Sequence, residues 1–106
     1  MILPGAVIRQ GDSLKVSIGL TGVSDLTGWS CKVIIGTGVD DPSPLLAINV
    51  TQLSDDNSRF ILFVSRGTTP SWPPGDYLIM ADVWNTGTGE GSEVHGELRV
   101  EAQGVA

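Results

Sequence analysis

The sequence is short of the groups on which most protein chemistry depends. It has one cysteine, Cys31, and one histidine, His95. A lone cysteine forms no internal disulfide, so the chain folds in a reducing compartment or does without a bridge. One Cys and one His leave only carboxylates to complete a zinc site, which excludes the usual Cys/His sets. A nucleophile–base–orienter arrangement would have His95 as its only imidazole. Basic residues are few: Arg9, Lys15, Lys32, Arg59, Arg66 and Arg99, scattered against 12 acids for a net charge of −6. Nucleic-acid binding draws most of its affinity from Lys and Arg neutralising phosphates, so the charge argues against that class. An acidic surface likewise disfavours anionic membranes. No apolar run approaches the roughly 20 residues that span a bilayer. The opening Met1–Gly5 has neither a basic start nor a long apolar stretch, so no secretory signal is expected. Without one, the sequon Asn49-Val50-Thr51 reads as a chance match.

Two things are plentiful. Apolar residues make up 41% of the 106 positions, and there are 14 glycines. A chain of this length buries a real core without metal or disulfide support. Charged residues are only 17%, which lowers the cost of covering the surface with a partner. No window holds the apolar pattern of a helix. Short β-rich runs recur instead, divided by Gly, Pro, Asp and Asn.

The runs are readable one by one. Ala6–Arg9 is a first strand, broken by Gly11-Asp12. Leu14–Leu20 alternates cleanly, with Leu14, Val16, Ile18 and Leu20 on one face. Trp29–Ile35 places Trp29, Cys31, Val33 and Ile35 on one row. Gly36–Pro44 is a loop. Leu45–Val50 and Arg59–Ser65 are predicted to form a hairpin across Ser54–Ser58. Gly67–Gly75, with Pro70, Pro73 and Pro74, is neither a helix interior nor a central strand. Tyr77–Trp84 and Glu93–Glu101 are the last strands, with Asn85–Ser92 as a mobile hairpin tip. Val94, Leu98 and Val100 point inward on the last strand, and His95 outward.

Two details favour one topology. Trp29 opens the third strand on its core-facing row. Pro74-Gly75-Asp76-Tyr77 puts a tyrosine at the start of the penultimate strand, where a tyrosine corner folds its hydroxyl back on the backbone. Ile79 stands two residues later, where a disulfide-bonded sandwich would carry its second cysteine. The expected fold is all-β: an immunoglobulin-like antiparallel β-sandwich of about seven strands. Residues 1–106 form one domain, with 1–5 as an N-terminal arm. Its core holds Leu14, Val16, Ile18, Trp29, Cys31, Val33, Tyr77, Ile79, Val83, Leu98 and Val100.

Candidate chemistry thins out on inspection. Cys31 lies on an apolar row and behaves as a small hydrophobe. Asp40-Asp41 and Asp55-Asp56-Asn57 are loop carboxylates of the kind calcium prefers, but they match no calcium loop and cap turns equally well. No catalytic residue, metal site or cofactor is expected. What stands out is a strand apolar on both faces. Leu78, Met80 and Trp84 share one side of it with Asp82, opposite Tyr77, Ile79, Ala81 and Val83. An outer antiparallel face is ordinarily polar. Either neighbouring strands shield this row, or it meets another chain. Trp72 is a second candidate anchor, or else it caps the core. Ile2, Leu3 and His95 complete the interface candidates.

The pieces resemble, in order, the small immunoglobulin-like structural proteins of tailed bacteriophages. They are Gly11-Asp12-Ser13 before an alternating strand, Trp29 opening a Val/Ile-rich strand, and Pro74-Gly75-Asp76-Tyr77 followed by Asp82-Val83-Trp84. A Gly-rich hairpin and Gly96-Glu97-Leu98-Arg99-Val100 complete them. Trp72 departs from the pattern, standing where a smaller apolar residue is usual. The resemblance implies a non-enzymatic virion component assembled in the host cytoplasm, foremost a capsid decoration or cement protein. The alternative is a tail, baseplate or fibre module that binds another tail protein or a host-surface glycan. Implied partners are a major capsid or tail protein and further copies in a homotrimer, with no nucleic acid and no membrane.

Overall fold

The computed structural model describes residues 5–38 and 41–103. Seven strands follow in chain order: β1 Ala6–Arg9, β2 Leu14–Ile18, β3 Trp29–Gly36, β4 Leu46–Val50, β5 Phe60–Val64, β6 Gly75–Asn85 and β7 Gly91–Glu101. A single 3-10 turn, Thr69–Ser71, stands between β5 and β6. Five strands form one sheet in the order β1-β7-β6-β3-β4, and β2 and β5 form the other. Every pairing is antiparallel except β1 on β7, which runs parallel from Ala6↔Leu98 to Arg9↔Glu101.

The core sits between the sheets, as period-two alternation requires. The five-stranded sheet contributes Cys31, Val33, Ile35, Ile79, Ala81, Val83, Val94, Leu98 and Val100. The smaller sheet answers with Leu14, Ile18, Phe60, Leu62 and Val64. Trp29, Tyr77 and Val16 are half-buried and pack against this cluster. Leu20 lies beyond the end of β2, because the β5 partner strand begins at Phe60 opposite Ile18. It still packs on the core.

The predicted hairpin between β4 and β5 is a correction. Its turn forms, with the Asn57 amide donating to the Ser54 carbonyl at 2.9 Å and the Ser54 amide to Arg59 at 2.8 Å. The strands on either side then part company. β4 pairs with β3 through Cys31↔Val50 to Ile35↔Leu46, whereas β5 pairs with β2. Of the expected ladder there remain the bridge Leu53↔Phe60 and the bonds beside it, from the Ser54 amide to Arg59 and from the Ile61 amide to Gln52. Adjacent strands in one sheet would place both apolar rows on the same layer. Crossing between sheets lets the rows face each other across the core.

The tip between β6 and β7 is built around Asn85. The Asn85 side-chain oxygen accepts from the amides of Gly87 at 2.9 Å and Thr88 at 3.3 Å. Its backbone amide donates to the Glu90 carbonyl at 2.7 Å. Asn is suited to this because its side chain mimics a backbone turn.

Candidate interaction face

The outer face of the five-stranded sheet carries the apolar row that the sequence singled out. β6 is central, flanked by β3 and β7, and Leu78, Met80, Asp82 and Trp84 point away from the core. Their fates differ, and the flanking residues decide it. Met80 stands between Ile34 and His95 and is only 8% exposed, although it lies outside the core cluster. Leu78 stands between Gly36 and Glu97 and is exposed. Trp84 stands between Ser30 and Gly91 and is half-buried. A Cβ at Gly91 would come within 3.0 Å of both the Trp84 Cβ and the Val83 carbonyl oxygen, so a side chain there would require its neighbours to give by a few tenths of an ångström. Shielding by neighbouring strands therefore accounts for Met80, which is no open contact residue. Leu78, beside Gly36 and Glu97, stays exposed, and Trp84, beside Ser30 and Gly91, stays partly so.

Each end of the row borders a hollow. One, of about 460 Å³, lies at the start of β3 and is lined by Thr27, Trp29, Ser30, Asn49 and Trp84 among others. The other, of about 600 Å³, lies between Val7, Thr37, Asp76, Leu78, Glu97 and Arg99. Val7 and Ile34 belong to this face and were not singled out in the sequence. The alternation of β3 does carry the signal for Ile34, two positions from Lys32 on the outward row.

Trp72 is a correction. It is 2% exposed and belongs to the core cluster, so it caps the sandwich and anchors no partner. The Gln10 side-chain amide donates to its carbonyl at 2.8 Å, and its own amide donates to Thr69 at 3.0 Å. Thr69 is the polar counterpart of this plug. It is wholly buried, with its hydroxyl donating to the Asp12 carbonyl at 2.7 Å and accepting from the Gly11 amide at 3.0 Å. Nothing in the sequence pointed to Thr69, because its partners lie 57 and 58 residues away. Ile2 and Leu3, with most of the 1–5 arm, lie outside the described residues.

His95 is exposed on the outer face, with its Nε2 3.2 Å from a Glu93 carboxylate oxygen. A solvent-facing pair of this kind contributes little to stability. No hydroxyl or thiol among the described residues is hydrogen-bonded to it. The Cys31 thiol lies on the opposite, buried face, and its pKa is pushed up to about 11 by burial first and the Asp82 carboxylate second. A thiol so raised is neutral at physiological pH and a poor nucleophile.

The loop carboxylates are engaged by their own turns. Asp41 accepts from the amides of Thr37 at 3.0 Å and Ser43 at 2.9 Å, which lowers its pKa. Asp56 accepts from the Ser58 and Ser54 hydroxyls at 2.6 and 2.8 Å and from the Ser58 amide at 3.1 Å. Those bonds hold its carboxyl at about 2. Asp40 lies outside the described residues. Among the described residues no three of His, Cys, Asp and Glu cluster closely enough to hold a metal ion. No helix among them is long and apolar enough to cross a membrane.

These layers, the parallel β1–β7 edge and the Tyr77 corner, whose hydroxyl donates to the Pro73 carbonyl, define an immunoglobulin-like β-sandwich. Known structures bear this out. Over 94% of its length the chain is similar to the titin M3 domain, with a TM-score of 0.57, 19% identity and 91% of that chain covered. It is also similar to fibronectin(III)-like modules of Clostridium thermocellum CbhA, with a TM-score of 0.51 and 9% identity over 94% of this chain and 90% of that one. At such identities the likeness is one of fold alone. No protein-family model matches the chain, and no curated protein matches it in sequence.

Proposed function

We propose that this chain is a non-enzymatic structural protein of a tailed-bacteriophage virion, a capsid decoration or cement protein attached in many copies. The observation that supports this most is the outer row of β6, where Leu78 is exposed and Trp84 partly exposed beside Gly36, Ser30 and Gly91. Apolar and aromatic side chains set among polar ones are the usual anchors of a protein interface. The order of Gly11-Asp12-Ser13, Trp29, Pro74-Gly75-Asp76-Tyr77 and Gly96–Val100, which resembles phage structural proteins, supplies the biological setting. On this reading the partner is a major capsid protein, and the symmetric sites of a shell set the copy number.

The test is reconstitution. Purified chain is added to capsids that lack it, and the bound fraction is measured after sedimentation. Leu78→Lys and Trp84→Lys should each lower affinity by about tenfold or more, since interface anchors carry about 2 kcal/mol or more. Binding equal to wild type in both variants, or density at the tail tip alone in a virion reconstruction, would sink the decoration reading.

A second reading has one observation in its favour. The hollow at Trp84 sets an aromatic ring beside Thr27, Ser30 and Asn49, a combination suited to stacking on and hydrogen-bonding a sugar. A tail or fibre module that binds a host-surface glycan would use it. A glycan array with no signal above background removes this alternative.

A further inference from the structure

The four free strand edges of the sandwich are not alike. β1 is a short edge of four residues that ends on Arg9. β2 carries Lys15. Short length and charge are the devices by which natural sheets avoid pairing with another chain. β5 has no charge, but the chain before it partly occupies its edge: the Ile61 amide donates to the Gln52 carbonyl at 2.8 Å, and Leu53 bridges Phe60. β4, five residues long, has neither charge nor cover. Leu46-Ala47-Ile48-Asn49-Val50 contains no charge, proline or glycine, and among the described residues nothing pairs with its outer edge.

Ile48 adds an independent observation. It pairs with Val33 and so lies on the inner face of its sheet, yet it is 39% exposed. The smaller sheet has only two strands against five, and it leaves this end of the inner face uncovered. An inward-facing isoleucine thus sits in water beside an open row of backbone donors and acceptors.

We infer that β4 is a self-association edge, which pairs antiparallel with β4 of a second copy about a two-fold axis. A two-fold centred on Ile48 sets that residue against its own counterpart, Leu46 against Val50, and Ala47 against Asn49. All apolar inner-row side chains then share one face, and a continuous sheet joins the two sandwiches. A second copy suits this edge on charge. The chain carries −6, so copies repel over most of their surface, whereas two β4 strands meet with no charge between them. The symmetric pairing closes on itself and gives a dimer. This inference stands apart from the virion reading, which concerns the outer face of β6.

A five-residue edge buries less than the roughly 1,200 Å² of a standard interface, so a dissociation constant between about 1 µM and 1 mM is expected. Sedimentation velocity across that range tests the inference. The wild-type chain should pass from monomer to dimer, Ile48→Lys should weaken dimerisation at least tenfold, and Phe63→Lys, an exposed residue on the other sheet, should leave it unchanged. If Ile48→Lys does not fold, Asn49→Lys places the same charge on the exposed side of the edge and should have the same effect. Hydrogen exchange should show the Leu46–Val50 amides gaining protection as concentration rises. A monomer throughout, a trimer, a dimer indifferent to charge on β4, or protection gained at another edge would each overturn it.

Discussion

The Tyr77 hydroxyl donates a hydrogen bond of 2.6 Å to the carbonyl of Pro73, four residues earlier. The bond ties the start of β6 to the loop that carries Trp72 and Thr69. Gly75 suits this place through its backbone, at a φ of 156° that residues with side chains rarely adopt. Tyr77→Phe removes the bond and keeps the ring. The expected loss is about 1 kcal/mol in urea unfolding, or about 4–8 °C in melting temperature for a domain of this size.

Trp72 and Thr69 plug one end of the sandwich together, one by volume and the other by hydrogen bonding. Trp72→Ala should cost about 3–5 kcal/mol, as is usual for a large side chain removed from a core. Thr69→Val keeps the shape and leaves the Gly11 amide and the Asp12 carbonyl without their partner. It should cost about 1–3 kcal/mol, with Thr69→Ser closer to wild type. Equilibrium denaturation of the three variants checks both values, and a neutral Thr69→Val would show that water replaces the hydroxyl.

Cys31 should be silent to thiol reagents in the native state. Its pKa is raised to about 11, so the thiolate is scarce at pH 8, and its side chain is buried. Labelling with a chromogenic disulfide should proceed only as fast as the protein opens, and should become immediate in denaturant. Rapid labelling of the folded chain would show that the end of the core near Trp29 opens on its own.

Acid should loosen the Ser54–Ser58 turn. The folded pKa of Asp56, about 2, lies below the ordinary carboxylate value, so its contribution is present above that ordinary value and is lost as pH falls toward about 2. Asp25 and Asp41 are lowered by their own turn hydrogen bonds and act in the same direction. Asp56→Asn keeps an acceptor without the titration. The variant should show a flatter decline of stability between pH 4 and 2 in a series of urea titrations, and an unchanged slope would remove Asp56 from the acid response.

Most of the fold was legible because its signals are local. The alternation of Leu14–Ile18 and of Val94–Val100 determined which side chains face inward, whatever partner strand lay beside them. The Pro74–Tyr77 segment determined the corner, since the hydroxyl reaches only four residues back. The six cations, Arg9, Lys15, Lys32, Arg59, Arg66 and Arg99, form no run along the sequence. The candidate face was legible only as a row, because alternation says which side of a strand a residue occupies and nothing about what flanks it.

Tertiary structure decided the rest, and in each case the deciding residue is distant in sequence. Met80 is shielded and Leu78 is open because β3 brings Ile34 to one and Gly36 to the other. Trp72 is core, and Gln10, 62 residues earlier, donates to its carbonyl. β4 and β5 read as a hairpin by proximity, but burial of two apolar rows is satisfied only when they face each other from different sheets. That crossing leaves β4 as an unprotected edge with Ile48 uncovered. A sequence specifies a strand's faces through its own side chains, whereas its neighbours and free edges depend on how the whole chain closes its core.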